Sequence, residues 1–123
     1  MSATVFPKNC TLKVDFYNKE DLCTRIFVSF LDEKVYIENF TDDMIHRAFG
    51  VNENPTMDDF NDFLEDRCYS RNRADIKEIL KTLGLQFYDP LGMCEITKGR
   101  THEDSQWMDF EYKALEGWSL WTK

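Results

Sequence analysis

The chain has 123 residues, of which 42% are hydrophobic and 15% aromatic, which excludes general disorder and predicts one domain that buries a core without disulfides. Its formal net charge of -8 disfavours direct binding to a phosphate backbone except through a local basic patch, so a basic protein partner is favoured. No apolar run approaches the roughly 20 residues of a membrane span, and no secretion signal is recognisable, so we expect a soluble, cytoplasmic protein that does not bind membranes.

The N-terminal part, residues 1–40, predicts an antiparallel meander of three strands. Alternating residues mark a strand at 12–17 and another at 25–30, separated by a polar turn. A tight turn then leads into a third strand at 35–37. We expect the buried faces of the first two strands to carry Leu12, Val14, Phe16, Ile26, Val28 and Phe30.

A helical region, residues 41–99, follows the meander, because the hydrophobic period changes from two to about 3.6. Capping and termination signals predict a first short helix at 41–50 and a second helix at 56–68. Thr56 as the N-cap, with Asp59 at the capping-box position, makes the start of the second helix well defined.

Two further helices are predicted before residue 100. Asn72 is an N-cap for a helix that Gly84 ends, and Asp89 followed by Pro90 begins a last helix that stops near Gly99. The buried stripe of the first of these helices is expected to be Ile76, Ile79, Leu80 and Leu83.

The C-terminal part, residues 100–123, predicts a strand and an aromatic tail. The alternating run 107–112 can return to the N-terminal sheet as a further strand. Trp118, Leu120 and Trp121 either dock on the core or anchor a protein partner. The whole chain is therefore predicted to be a single α+β domain, with the meander packed on the helical region.

Acidic charge is concentrated on one face of the predicted helix 56–68. At about 100° per residue, five carboxylates fall within an arc of roughly 120°, and hydrophobic side chains occupy the opposite arc. The face carries roughly one charge per 2.4 Å of helix axis, against one per roughly 1.7 Å in duplex DNA, so a nucleic-acid-like surface is physically possible. Solubility alone is the competing explanation. The carboxylates predicted to contact a basic partner are those of Asp58, Asp59, Asp62, Glu65 and Asp66.

A basic row follows the acidic helix, formed by Arg71, Arg73, Lys77 and Lys81. These residues would contact phosphates if the protein were a nucleic-acid-binding regulator of a mobile element, which is the alternative function. If the two helices instead pair as antiparallel neighbours, the row lies beside the acids and weakens their external field.

Metal binding and catalysis have weak support in the sequence. His46, Cys68, Cys94 and His102 match no zinc spacing, and the four cysteines contain no CxxC pair, so we expect reduced thiols and no cofactor. The acid, base and guanidinium groups within residues 100–104 suit a metal-dependent nuclease, but a polar turn with local ion pairs is the favoured explanation. We therefore predict that the protein is not an enzyme.

Three short motifs connect residues 63–107 to a known group of proteins. They are Asp66-Arg67-Cys68, the stretch from Leu83-Gly84-Leu85 to Tyr88-Asp89-Pro90, and Gly99-Arg100 followed by Glu103-Asp104. This block resembles a recurrent segment in small proteins of Gram-positive plasmids, phages and other mobile elements. Several proteins of this appearance look like anti-CRISPR inhibitors of the type II-A effector nuclease.

The resemblance implies a stoichiometric inhibitor without catalysis, acting in the cytoplasm of a bacterial host. Its expected partner is a type II CRISPR effector nuclease, with or without guide RNA, which holds nucleic acid in positively charged channels. Inhibition would block either guide RNA assembly or target DNA binding. No contact residue follows from the resemblance, so the acidic contact set depends on helical spacing.

Overall fold

The computed structural model describes residues 5–101 and 105–113 of the chain. These residues form four strands, β1 (Leu12–Asn18), β2 (Asp21–Ser29), β3 (Lys34–Asn39) and β4 (Gln106–Tyr112), and three helices, α1 (Met57–Asp66), α2 (Ile76–Leu83) and α3 (Pro90–Thr97). The sheet is antiparallel with the order β3-β2-β1-β4. The predicted α+β fold is confirmed, including the three-stranded meander and the C-terminal strand that returns to it. None of the described helices is long and apolar enough to cross a membrane.

One face of the sheet forms the core with α1 and α3. Val14 of β1 lies between Ile26 of β2 and Phe110 of β4, which places three apolar side chains in one row. The helix α1 packs against α3 and β3, and α3 packs against β4. The fully or almost fully buried side chains of this core include Leu12, Val14, Phe16, Ile26, Val28, Phe60, Leu64, Cys94 and Met108.

The opposite face of the sheet is polar and carries ion pairs. Asp15 accepts a 2.8 Å hydrogen bond from Nε of Arg25, and Nζ of Lys13 lies 2.9 Å from the carboxylate of Glu111. Lys13 and Asp15 are buried even though they lie on this face. Opposite charges in cross-strand positions offset each other there. Phe27 lies on the same face and packs with Phe6 and Cys10 in a small second cluster.

The prediction of a helix at 41–50 is wrong, because the Asp43 side chain binds the N–H of Ile45, which a helix beginning after Thr41 would use in its first backbone hydrogen bond. The Thr41 hydroxyl accepts from the N–H of Asp43 at 3.2 Å, and the Asp43 carboxylate accepts from the N–H of Ile45 at 3.0 Å. Such local bonds compete with helix formation, and the segment forms successive turns. Of the four residues of this segment that the sequence predicts to pack, Ala48 and Phe49 contact the core, whereas Met44 and Ile45 are exposed.

The helix predicted from Asn72 starts a full turn later, at Ile76. Asp75 occupies the N-cap position, but its carboxylate accepts from Nε of Arg73 at 2.7 Å and makes no capping bond. The predicted end is confirmed: Gly84 has the left-handed φ of 81°. In the predicted stripe, Leu80 is buried and the other three residues are half-buried.

The second strand, predicted at 25–30, begins earlier than predicted, at Asp21, and ends one residue sooner. It ends at Ser29, whose buried hydroxyl accepts from the N–H of Asp32 at 3.1 Å and so fixes the turn into β3. Phe30 consequently lies in this turn and is 46% exposed, instead of belonging to the core. The aromatic tail and residues 102–104 lie outside the described residues.

A tight connection joins α3 to β4 and depends on Gly99. Lys98 and Gly99 both have left-handed φ values, 59° and 65°, and the N–H of Met108 donates to the Lys98 carbonyl at 2.7 Å. A Cβ atom at Gly99 would lie 2.3 Å from Cε of Met108, which is fully buried. Both the backbone conformation and the close approach therefore require glycine.

Replacing Gly99 with alanine should lower the free energy of unfolding by about 2 kcal/mol, because the left-handed backbone and the displaced Met108 both add cost. Gly84→Ala is the matched control: it has a similar positive φ but nothing within 4 Å of the new Cβ, so it should cost about 1 kcal/mol. Chemical denaturation measures both. Equal losses would show that the contact with Met108 is unimportant.

Candidate acidic interaction face

The start of α1 is fixed by a capping box. The Thr56 hydroxyl accepts from the N–H of Asp59 at 3.2 Å, and the N–H of Thr56 donates to the Asp59 carboxylate at 2.9 Å. The side chain of Asn52 donates to the same carboxylate at 3.2 Å. The backbone hydrogen bond from Thr56 lowers the pKa of Asp59. Asp59 is therefore a structural residue of the helix start as well as a member of the predicted contact set.

The other four predicted contacts are exposed and lie opposite the buried face of α1. Asp58, Asp62, Glu65 and Asp66 form no ion pair with any residue in the described ranges 5–101 and 105–113. Phe60, Phe63 and Leu64 are buried on the other side of the helix. The predicted division of this helix into an acidic face and a packing face is thus confirmed.

The acidic face opposes the stability of its own helix. Asp58 and Asp62, and also Asp62 and Asp66, are spaced so that like charges repel by about 0.2–0.5 kcal/mol per pair. Glu65 and Asp66 lie in the last turn, where the helix dipole favours cations, and that turn contains no basic residue. Packing must therefore hold the helix. Asp58 lies in the first turn, where the helix dipole favours an anion, but Asp62, Glu65 and Asp66 have no such local role.

The basic row does not neutralise this face. Arg73 precedes α2 and pairs with Asp75 at 2.7 Å, and Lys77 and Lys81 are exposed on α2. Among the described residues, none of these three cations forms an ion pair with an acid of α1. The antiparallel charge pairing that the sequence allowed is thus not formed.

Arg71 and Arg73 each lie over an aromatic ring. The Arg71 guanidinium carbon is 4.4 Å from the ring centroid of Tyr88, and that of Arg73 is 5.7 Å from the centroid of Tyr69. Both arginines are exposed. This surface combines planar cations with aromatic faces, a combination that also occurs in nucleic-acid-binding proteins.

Arg67, which sequence reasoning did not select as a functional residue, fixes the C-terminal end of α1. Its Nε and one terminal nitrogen donate to the carbonyl of Gly99 at 3.0 and 2.8 Å, and the same terminal nitrogen donates to the carbonyl of Gln106 at 2.9 Å. The guanidinium is buried and lies 5.6 Å from the ring centroid of Phe16. The two residues whose carbonyls it binds lie 32 and 39 positions further along the chain, so no periodic pattern could have revealed this role.

A cleft of about 560 Å³ lies beside the end of α1. Its walls carry guanidinium, hydroxyl and thiol groups, which suit an anion better than a metal ion. Within the described residues, no group of three or more His, Cys, Asp or Glu side chains is placed to hold a metal, and Nδ1 of His46 pairs instead with Asp43 at 2.8 Å. The cleft is lined by Asp66, Arg67, Cys68, Tyr69, Ser70, Arg73, Thr97, Arg100 and Thr101.

Comparisons with protein-family models, with curated proteins and with solved structures find no match to this chain.

Replacing Arg67 with lysine should lower the free energy of unfolding by about 2–3 kcal/mol, because an ammonium group cannot reproduce the planar set of bonds to two carbonyls. The exposed Arg73→Lys is the matched control and should change stability by less than about 0.5 kcal/mol. Denaturant unfolding compares the two variants. If both are as stable as the parent, Arg67 does not hold the end of α1.

Proposed function

We propose that this protein is a stoichiometric inhibitor that binds a basic, nucleic-acid-handling protein through the acidic face of α1. The observation that carries the proposal is the exposure of Asp58, Asp62, Glu65 and Asp66 on one helix face without an ion pair to any described residue. Asp59, in the first turn, is the fifth residue of the predicted contact set. Its carboxylate already accepts a hydrogen bond in the capping box, so it is less available to a partner.

The face has the dimensions needed to replace a segment of nucleic acid. Asp58 and Asp66 are separated by about 12 Å along the helix axis, at 1.5 Å per residue. A partner surface that binds phosphates spaced along a duplex would find a comparable row of negative charges there. Unlike a flexible acidic segment, these carboxylates are held by a helix whose other face is packed in the core, so binding costs little conformational entropy.

The partner we propose is a type II CRISPR effector nuclease, with or without guide RNA, in the cytoplasm of a bacterial host. The resemblance of residues 63–107 to mobile-element proteins supports this choice, and so does the basic character of channels that must hold guide RNA and target DNA. Binding in such a channel blocks guide RNA assembly or target DNA binding by occupation alone. The inhibitor needs no catalytic group and acts at one molecule per nuclease.

Reversing three charges on the face should remove inhibition without unfolding the protein. In Asp58→Lys/Asp62→Lys/Asp66→Lys, three attractions become repulsions of about 1 kcal/mol or more each, so the concentration for half-inhibition of DNA cleavage should rise at least about a hundredfold. A cleavage assay with a purified type II effector nuclease and guide RNA measures this. Because exposed charges are screened, inhibition by the parent protein should also weaken as salt is raised.

The matched control is Glu20→Lys/Asp21→Lys/Glu78→Lys, which changes the net charge equally at three exposed acids away from α1. It should inhibit like the parent. Full inhibition by the α1 variant would contradict the acidic-face proposal, and equal loss in both variants would mean that net charge, not this face, determines binding.

The stacked arginines favour one second candidate, a nucleic-acid-binding regulator of a mobile element. Arg71 and Arg73, lying over Tyr88 and Tyr69, present guanidinium planes and aromatic edges at one exposed surface. Single-stranded nucleic acids bind such surfaces by stacking and by phosphate contacts. Lys77 and Lys81 on α2 would extend the phosphate contacts.

For this candidate, Lys77→Gln/Lys81→Gln should weaken binding to labelled RNA or DNA and reduce its salt dependence by about one phosphate contact per lysine. The exposed pair Lys8→Gln/Lys34→Gln lies outside this surface and should leave binding unchanged. Titrations at several salt concentrations measure both effects. An unmodified protein that binds neither RNA nor DNA at low salt rules out the regulator.

A further inference from the structure

Two of the four free cysteines meet at the C-terminal end of α1. The thiol of Cys68, which follows the helix cap, lies 3.8 Å from the carbonyl oxygen of Glu65, and the thiol of Cys94 on α3 donates to the adjacent carbonyl of Leu64 at 3.4 Å. The two sulfurs therefore lie beside consecutive carbonyl groups at the same helix end. Because α1 and α3 are packed neighbours, the fold itself holds the pair together.

The two thiols differ in their access to solvent. Cys94 is completely buried, whereas Cys68 is half-buried and lines the cleft of about 560 Å³. A small oxidant that enters the cleft therefore reaches the sulfur of Cys68 and not that of Cys94.

The pKa values of the two thiols are shifted in opposite directions. The neighbouring Cys94 thiol lowers the pKa of Cys68, with a smaller contribution from the hydroxyl of Tyr88, although burial and, more weakly, Glu65 and Asp66 oppose this. The neighbouring Cys68 thiol raises the pKa of Cys94, and burial adds to the rise. Since the thiolate is the nucleophile, Cys68 is suited to attack an oxidant and Cys94 to react second.

We propose that Cys68 and Cys94 form an oxidation-sensitive dithiol, in which hydrogen peroxide oxidises Cys68 and Cys94 then closes a disulfide between the end of α1 and α3. This inference stands on the position of the two thiols and is independent of the proposed inhibitory function.

The chemistry balances with peroxide as the only oxidant. In the first step the Cys68 thiolate attacks one peroxide oxygen; an S–O bond forms, the O–O bond breaks, and the departing hydroxide takes up a proton to become water. In the second step the sulfur of Cys94 attacks the sulfenic sulfur of Cys68. The S–S bond forms, the S–O bond breaks, and the leaving hydroxide takes the proton of Cys94 as a second water.

The other two cysteines provide internal controls. Cys10 and Cys23 are buried, and burial raises the pKa of each thiol. They belong to different clusters of the core, one with Phe6 and Phe27 and the other with the main sheet. Neither should react with peroxide while the protein is folded.

The test is to treat the folded protein with one equivalent of hydrogen peroxide, alkylate all remaining thiols under denaturing conditions, and identify the peptides by mass spectrometry. We expect a Cys68–Cys94 linked peptide, a loss of two hydrogen atoms from the intact mass, reversal by a thiol reductant, and full alkylation of Cys10 and Cys23. A Cys68 that stays reduced, is oxidised further without linking to Cys94, or links another molecule would overturn the proposal.

Two variants separate the roles of the thiols. Cys68→Ser should stop peroxide consumption, whereas Cys94→Ala should allow Cys68 to reach the sulfenic acid, which a dimedone probe traps. If Cys94→Ala does not fold, alkylation rates in the parent protein test the reactivity of Cys68. Iodoacetamide should alkylate Cys68 at least about tenfold faster than Cys10 or Cys23. Equal rates at the three cysteines would count against a reactive Cys68.

Discussion

The hydrogen bonds from Arg67 to the carbonyls of Gly99 and Gln106 are the constraint on which the arrangement of this molecule depends. They join the end of α1, the turn after α3 and the start of β4, and the hydrogen bond from the N–H of Met108 to the Lys98 carbonyl further ties the last two together. A buried guanidinium is costly unless it is hydrogen-bonded, so the carbonyls must be presented in fixed positions. The left-handed backbone at Gly99 turns its carbonyl to where Arg67 can reach it.

Arg67 also determines what the acidic face of α1 can do. It is the cation nearest to Glu65 and Asp66 along the chain, yet its described bonds go inward to backbone carbonyls and not to those acids. Nor do the arginines and lysines that follow pair with the acids of α1 among the described residues. A helix that carries uncompensated charge in its last turn sacrifices some stability, and packing of Phe60, Phe63 and Leu64 offsets that loss. The acidic face proposed to bind a partner is therefore held in place by packing and not by its own charges.

The sequence predicted those parts of the structure that local chemistry determines. The strands followed from alternation, the start of α1 from the Thr56 and Asp59 capping box, and the end of α2 from Gly84. The segment 41–50 was mispredicted because Thr41 and Asp43 serve equally well as cap residues and as turn residues, and only tertiary contacts decide between them. The role of Arg67 could not be predicted from the sequence. Its partners lie 32 and 39 residues away, and they are backbone carbonyls, which any residue type carries. The acidic face itself was predictable, but its lack of pairing with the basic row required the structure.

We propose that the carboxylates of α1 are the contact surface for a basic partner. Carbodiimide labelling of the complex with a type II effector nuclease tests this most directly. We expect Asp58, Asp62, Glu65 and Asp66 to be labelled in the free protein and protected in the complex, while the exposed Glu20 and Glu78 react equally in both. If the nuclease in the complex is inhibited while the four carboxylates of α1 remain fully reactive, α1 is not the contact surface.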